Sequence, residues 1–264
     1  MRDLPAGPKA TAMRLGLWQG PSPAGDIAVG VAALERAIAA AGAVGAQYLV
    51  APEVYLPGYN QPDIARTAVP RTDPVLQRLA ACCAKSGCGV VVGYAEREAE
   101  SIWNAAIAID ATGKAAAHYR KIQLYGAREK AIYRAGSSYT TFDLAGQKAA
   151  LLICYDIEFA PHVAALAALG TSVILVPTAN MQPFTHVGHH TVAAMAANHG
   201  VAIVYANYCG IEGDLSYIGG SLIAGPHGEV LAQAGQGPAL LIADIPDRDP
   251  ALLSTQAADF RKAD

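Results

Sequence analysis

The feature that most limits how this chain can fold is a repeated alternation of short apolar runs with alanine-rich stretches of helical periodicity. Tyr48-Leu49-Val50-Ala51, Gly89-Val90-Val91-Val92-Gly93, Ala150-Leu151-Leu152-Ile153 and Val173-Ile174-Leu175-Val176 are apolar throughout, and Val201 to Asn207 nearly so. Strands of that kind bury both faces, which requires a sheet covered on two sides. Between them Val31, Leu34, Ile38 and Ala41 keep helical spacing after a capping Asp26, and further helices are expected over Asp73 to Lys85, Val163 to Leu169 and His186 to His199. Strands are also expected at Met13 to Leu17 and Leu240 to Ile245. Ser101 to Ile109 should turn into a strand ending at Lys121, and Ser216 to Ala224 should pair with Glu229 to Ala234. Residues 54 to 72 read as a long surface loop and 124 to 138 as a polar loop. The pattern predicts an α/β fold of two sheets flanked by helices, in one domain over residues 1–264. Residues 1–12 would be an extension, and about 246–264 a helical tail.

Composition excludes several function classes. The net charge of −3 with no basic block argues against a nucleic-acid partner. No apolar run approaches the ~18 residues of a membrane span. The segment Met1 to Met13 has no apolar stretch, so no signal peptide is expected. Cys82, Cys83, Cys88, Cys154 and Cys209 form neither a disulfide framework nor paired zinc spacing, which fits a reducing cytoplasm.

Chemistry concentrates where apolar runs stop. Cys154 ends a buried run just before a helical segment, where unpaired backbone N–H groups and the helix dipole favour a thiolate and an oxyanion. Taken alone it is as well read as a small core residue. Glu53 and Lys121 close two other strands, and strand ends converge on the ligand crevice of open α/β sheets. A carboxylate, an ammonium and a thiol supply a base, an oxyanion partner and a nucleophile.

Pro52-Glu53, Tyr119-Arg120-Lys121 and Cys154-Tyr155-Asp156-Ile157-Glu158-Phe159 resemble, in order and spacing, the three motifs of the nitrilase-like carbon–nitrogen hydrolases. The resemblance spans Met13 to about Ile245 and is nearest to the aliphatic amidase-like members. It implies a four-layer α-β-β-α sandwich, a catalytic Glu53, Lys121 and Cys154, a second glutamate at Glu129, no cofactor, and a homodimer or larger homo-oligomer. It also implies hydrolysis of a small amide to an acid and ammonia through a cysteine thioester. The chain departs from the pattern after Phe159. Ala160-Pro161-His162-Val163-Ala164 lacks the usual glutamate and arginine, which puts local packing and the dimer contact in question. The helix near Met195 to Asn198 lacks a further arginine and glutamate.

Tyr155-Asp156 resembles amidases rather than nitrile-cleaving members, which carry Trp-Glu. Asp156 and Glu158 stand where carbamoyl-amino-acid hydrolases place cations, so a carboxylate-bearing substrate is disfavoured. Asp156 and Glu158 also fit a structural role, satisfied by backbone N–H groups. Tyr59, Tyr155, Asn180 and Met181 are candidates for the pocket wall. Four other readings remain open at this level: a nitrilase or N-carbamoyl amide hydrolase; a metal site at His186, His189 and His190, disfavoured because no carboxylate accompanies them; a cysteine hydrolase with His118 or His162 as base; and a non-catalytic binding member. Cys82-Cys83 more simply belong to a core than to a redox pair.

Overall fold

The computed structural model describes residues 13–261; the expected extension at 1–12, where no signal peptide is expected, lies outside them. The first half runs through β1 (Met13–Gln19), α1 (Ile27–Ala43), β2 (Tyr48–Val50), the short α2 (Ile64–Thr67), α3 (Pro74–Ser86), β3 (Gly89–Glu98), β4 (Ser101–Ile109) and β5 (Ala115–Arg120). After α4 (Gly126–Ile132) come β6 (Thr141–Leu144), β7 (Gln147–Leu151), α5 (Ala160–Ala168), β8 (Val173–Pro177), α6 (Val192–His199) and β9 (Ala202–Ala206). A hairpin, β10 (Cys209–Glu212) with β11 (Leu215–Ile218), precedes β12 (Leu222–Ala224), β13 (Val230–Gln233), β14 (Ala239–Ile245) and the single turn α7 (Gln256–Asp259).

Two six-stranded sheets result, in the orders β14-β1-β2-β3-β4-β5 and β13-β12-β9-β8-β7-β6. Each has a parallel centre, β1-β2-β3 in one and β7-β8-β9 in the other. The period of two along each strand divides the core. Leu15, Leu17, Val50 and Val91 face the second sheet and meet Leu151, Ile174 and Val204. Leu49, Val90 and Val92 point the other way, onto Leu34 and Ile38 of α1 and Leu76 and Leu79 of α3. On the far side Val163, Leu166, Val192 and Ala196 of α5 and α6 cover the second sheet. The architecture is the expected α-β-β-α sandwich. Both faces of each parallel centre are covered, which is why those strands read as unbroken apolar runs.

Several sequence expectations need correction. Residues 51–59 are buried rather than part of a surface loop, because the chain after β2 folds back across β3. The polar loop at 124–138 contains α4, whose Glu129 is drawn inward by partners distant in sequence. Ser216 to Ile218 pairs in its own hairpin with β10, so only Leu222–Ala224 pairs with β13. The tail after Asp247 is helical only at α7. No helix among the described residues is long and apolar enough to cross a membrane.

Candidate active site

Glu53, Lys121 and Glu129 come together in a buried cluster. Lys121 follows β5, and its Nζ lies 2.6 Å from Glu53 Oε1 and 2.8 Å from Glu129 Oε1. Asn104 Nδ2 of β4 donates to the same Glu53 oxygen at 2.6 Å. Glu53 Oε2 is buried with no hydrogen-bond partner among the described residues, so one carboxylate oxygen is tied and the other is left open to accept a proton. Tyr59 Oη donates to Glu129 Oε1 at 2.7 Å, and the Tyr125 N–H donates to Glu129 Oε2 at 2.9 Å.

Local backbone explains how Glu53 reaches this place. Its N–H donates to Thr178 O of the second sheet at 3.2 Å, and Tyr208 Oη donates to its carbonyl at 2.8 Å. The loop lies directly on Gly93 of β3, where a Cβ would stand 2.6 Å from Pro52 O and 2.7 Å from Glu53 Cα. Only glycine permits that approach. Val54, next in the chain, has φ +45°.

Cys154 begins a 3₁₀ turn over Cys154–Glu158, three residues beyond the end of β7, and has φ +45°. A non-glycine residue in that region stores about 1–3 kcal/mol of strain, which clusters at functional sites. Asp156 holds the turn. Its carboxylate accepts from Gln123 N at 2.7 Å, Tyr119 Oη at 2.8 Å and Ile153 N at 3.1 Å, so the segment carrying Lys121 and the turn carrying Cys154 share one buried anchor. Burial raises the Asp156 carboxyl, and those three donors oppose it. Its structural role is therefore the one realised.

The electrostatics follow from burial. Burial raises the Glu53 carboxyl to about 7 against the pull of Lys121. Burial works to lower the Lys121 ammonium, but Glu129 and Glu53 outweigh it and hold it well above the ordinary value. Burial also pushes the Cys154 thiol well up; Glu53 adds to this, while Lys121 and the Ala179 N–H oppose it. The resting proton therefore sits on sulfur, beside a carboxylate able to take it near neutral pH. A base that must be ionised gives kcat/KM an acid limb rising through about pH 7. A profile that stayed flat from pH 5 to 8 would exclude Glu53 as that base.

Cys154 opens onto a cavity of about 230 Å³ whose walls include Tyr59, Tyr155, Asn180 and Met181, all four pocket candidates. Sequence reasoning missed Tyr125, Ala179, Phe184 and His186 in the same wall. Tyr125 stands edge-on to Tyr155 at 5.3 Å and to Phe184 at 5.9 Å. Asn104 was also missed, although a lone asparagine between Trp103 and Ala105 in an otherwise apolar strand was a usable signal.

Neither histidine proposed as base reaches the thiol. His118 Nε2 lies 3.0 Å from Glu96 Oε2, and His162 bonds Tyr139 Oη at 2.7 Å and Gln123 Nε2 at 3.0 Å. His162 thus repacks the position where the motif departs from its pattern. Among the described residues no group of three or more His, Cys, Asp or Glu side chains is arranged to hold a metal ion. Of the Cys82–Cys83 pair, Cys83 is a buried free thiol pushed up to about 12 by burial, as is Cys88, while Cys82 is half-buried at the edge of the same core.

Residues 14–249 match the family model of the carbon-nitrogen hydrolases. The chain belongs to that family. It is 38% identical to a hydrolase of Pseudomonas protegens over 88% of this chain and 82% of the relative. It is 34% identical to an (R)-stereoselective amidase of a Pseudomonas species, over 80% of this chain and 77% of that one. An amidase from Nesterenkonia sp. superposes with a TM-score of 0.87 at 33% identity, covering 96% of this chain and 95% of that one. Structures of that amidase include variants in complex with acrylamide and butyramide, and a covalent addition of the acetamide moiety of fluoroacetamide at its active-site cysteine.

Proposed function

We propose that Cys154 is the nucleophile of this hydrolase, Glu53 its general base and acid, Lys121 an oxyanion partner, and Glu129 the residue that orients Lys121 and, through Tyr59, the pocket wall. The chain is an amidase that cleaves amide C–N bonds through its cysteine. The observation that carries the assignment of roles is the cluster itself. A buried ammonium is shared by two carboxylates, one of which keeps a free oxygen, beside a strained cysteine at the floor of a small cavity.

In the proposed reaction Glu53 takes the Cys154 proton as sulfur attacks the amide carbon. Lys121 and the Tyr155 N–H hold the oxyanion, a donor of this kind being typically worth a few kcal/mol. Glu53 then protonates the departing nitrogen, which leaves as ammonia and gives a thioester. Water deprotonated by Glu53 attacks that thioester, and the acid is released as Glu53 returns the proton to the Cys154 sulfur.

A cavity of about 230 Å³ lies below the ~300–1,000 Å³ of pockets for drug-sized ligands, which supports a small acyl group. Among the described residues its walls contain no lysine or arginine to hold a substrate carboxylate, which supports an amide over a carbamoyl amino acid. Measuring ammonia release from aliphatic amides, aromatic amides, nitriles and N-carbamoyl compounds tests the reading. Release is expected from small aliphatic amides; turnover of nitriles without amides would overturn it. The reading carries with it one hydrolase domain, a cytoplasmic location and a homo-oligomer. The last is supported by the apolar groove formed by Ala160, Pro161, Ala164 and the exposed Phe260, and static light scattering tests it.

A further inference from the structure

We infer that Glu158 sets the substrate class of this site, favouring small amides whose acyl chain ends in a protonated amine over neutral amides of the same length. The inference rests on the amidase reading above.

Glu158 closes the same 3₁₀ turn that Cys154 opens, and both line the cavity. The enclosed carboxylates of this half of the molecule have donors: Glu53, Glu129 and Asp156 each accept at least two hydrogen bonds. The half-buried Glu158 carboxylate accepts none and has no cation within ion-pair distance among the described residues. The ammonium of the site, Lys121, is taken by Glu53 and Glu129. Burial raises the Glu158 carboxyl while His186, exposed on the same wall, and Lys121 pull it down, but neither of them makes a hydrogen bond or an ion pair with it.

A carboxylate partly removed from water without a partner is destabilised, and a ligand cation relieves that cost. The rest of the wall suits a cation too. Tyr59, Tyr125, Tyr155 and Phe184 surround the space, and aromatic faces attract ammonium groups. A substrate carboxylate would meet repulsion from Glu158 instead. One group therefore discriminates in both directions.

The test pairs isosteric amides at pH 7: glycinamide with propanamide, β-alaninamide with butanamide, and 4-aminobutanamide with pentanamide. In the wild type at least one amino-amide should exceed its neutral isostere in kcat/KM by about ten-fold or more, a modest share of what a close ion pair in a low-dielectric site allows. In Glu158→Gln that ratio should fall toward unity. Equal or better turnover of the neutral partner at every length would overturn the inference and leave the amidase reading intact. Turnover of none of the six would overturn both. A second readout needs only the wild type: n-propylammonium should inhibit amide turnover about ten-fold more strongly than 1-propanol. Equal inhibition by the two would count against Glu158.

Discussion

Replacing Cys154 by alanine is expected to lower kcat by at least about 10⁴-fold, the scale seen when a nucleophile is removed from a hydrolase whose residues act as a unit. Intact-mass measurement during turnover of a small amide should show an acyl adduct on the wild type and none on Cys154→Ala. The fold should be little affected. Alanine keeps the Cβ, so the backbone at φ +45° meets the same steric demand, and the sulfur is lost from a wall that already borders a cavity. Turnover within ten-fold of wild type in a folded variant would reject Cys154 as nucleophile. Two variants also separate roles: Glu158→Gln is predicted to change which amide is preferred, whereas Cys154→Ala removes turnover for all of them.

Lys121→Met is expected to damage both stability and activity. Methionine roughly fills the same space but leaves Glu53 and Glu129, both almost completely enclosed, facing each other without the ammonium they share. Breaking a buried ion pair by removing one partner typically costs about 3–5 kcal/mol. At about 2–4 °C per kcal/mol for a chain of this size, the melting temperature should fall by roughly 6–20 °C. The sign of the pH dependence follows from Glu53. Its carboxyl is already raised by burial, and without Lys121 it loses the cation that pulls it down, so the folded state binds that proton more tightly than the unfolded state. The stability deficit should therefore shrink toward pH 5 and widen toward pH 8. Lys121→Met with Glu129→Gln should recover part of the stability, since one buried charge is gone, but not the activity, since the oxyanion donor is still missing. Thermal melts across pH, read beside kcat/KM, check this; a variant with unchanged melting temperature and ammonia release would remove Lys121 from the site.

Much of this arrangement was legible in the primary structure because the sheets are buried on both faces. Unbroken apolar runs such as Val173 to Val176 have no alternative placement, and Glu53, Lys121 and Cys154 mark where such strands give way to loops. What misled were segments whose burial depends on partners far along the chain. Residues 54 to 59 carry a proline and a glycine and read as surface, yet they are packed against β3 and against Glu212 of β10. Glu129 sits between Arg128 and Lys130 in a polar stretch, and its burial becomes sensible only beside Lys121 and Tyr59. Asn104 was readable as the polar exception in its strand, but its partner is 51 residues away.

Periodicity and local backbone chemistry act over a few neighbouring residues, and they are enough to specify the layered α/β architecture; three short motifs add the residue types that can perform the chemistry. How those residues are charged depends instead on packing. Burial raises Glu53 to about 7, Asn104 and Lys121 tie one of its oxygens and leave the other free, and Glu158 stands in an aromatic wall with no hydrogen bond or ion pair among the described residues. Those are properties of distance and dielectric between groups brought together by packing, and no local stretch of the chain contains them.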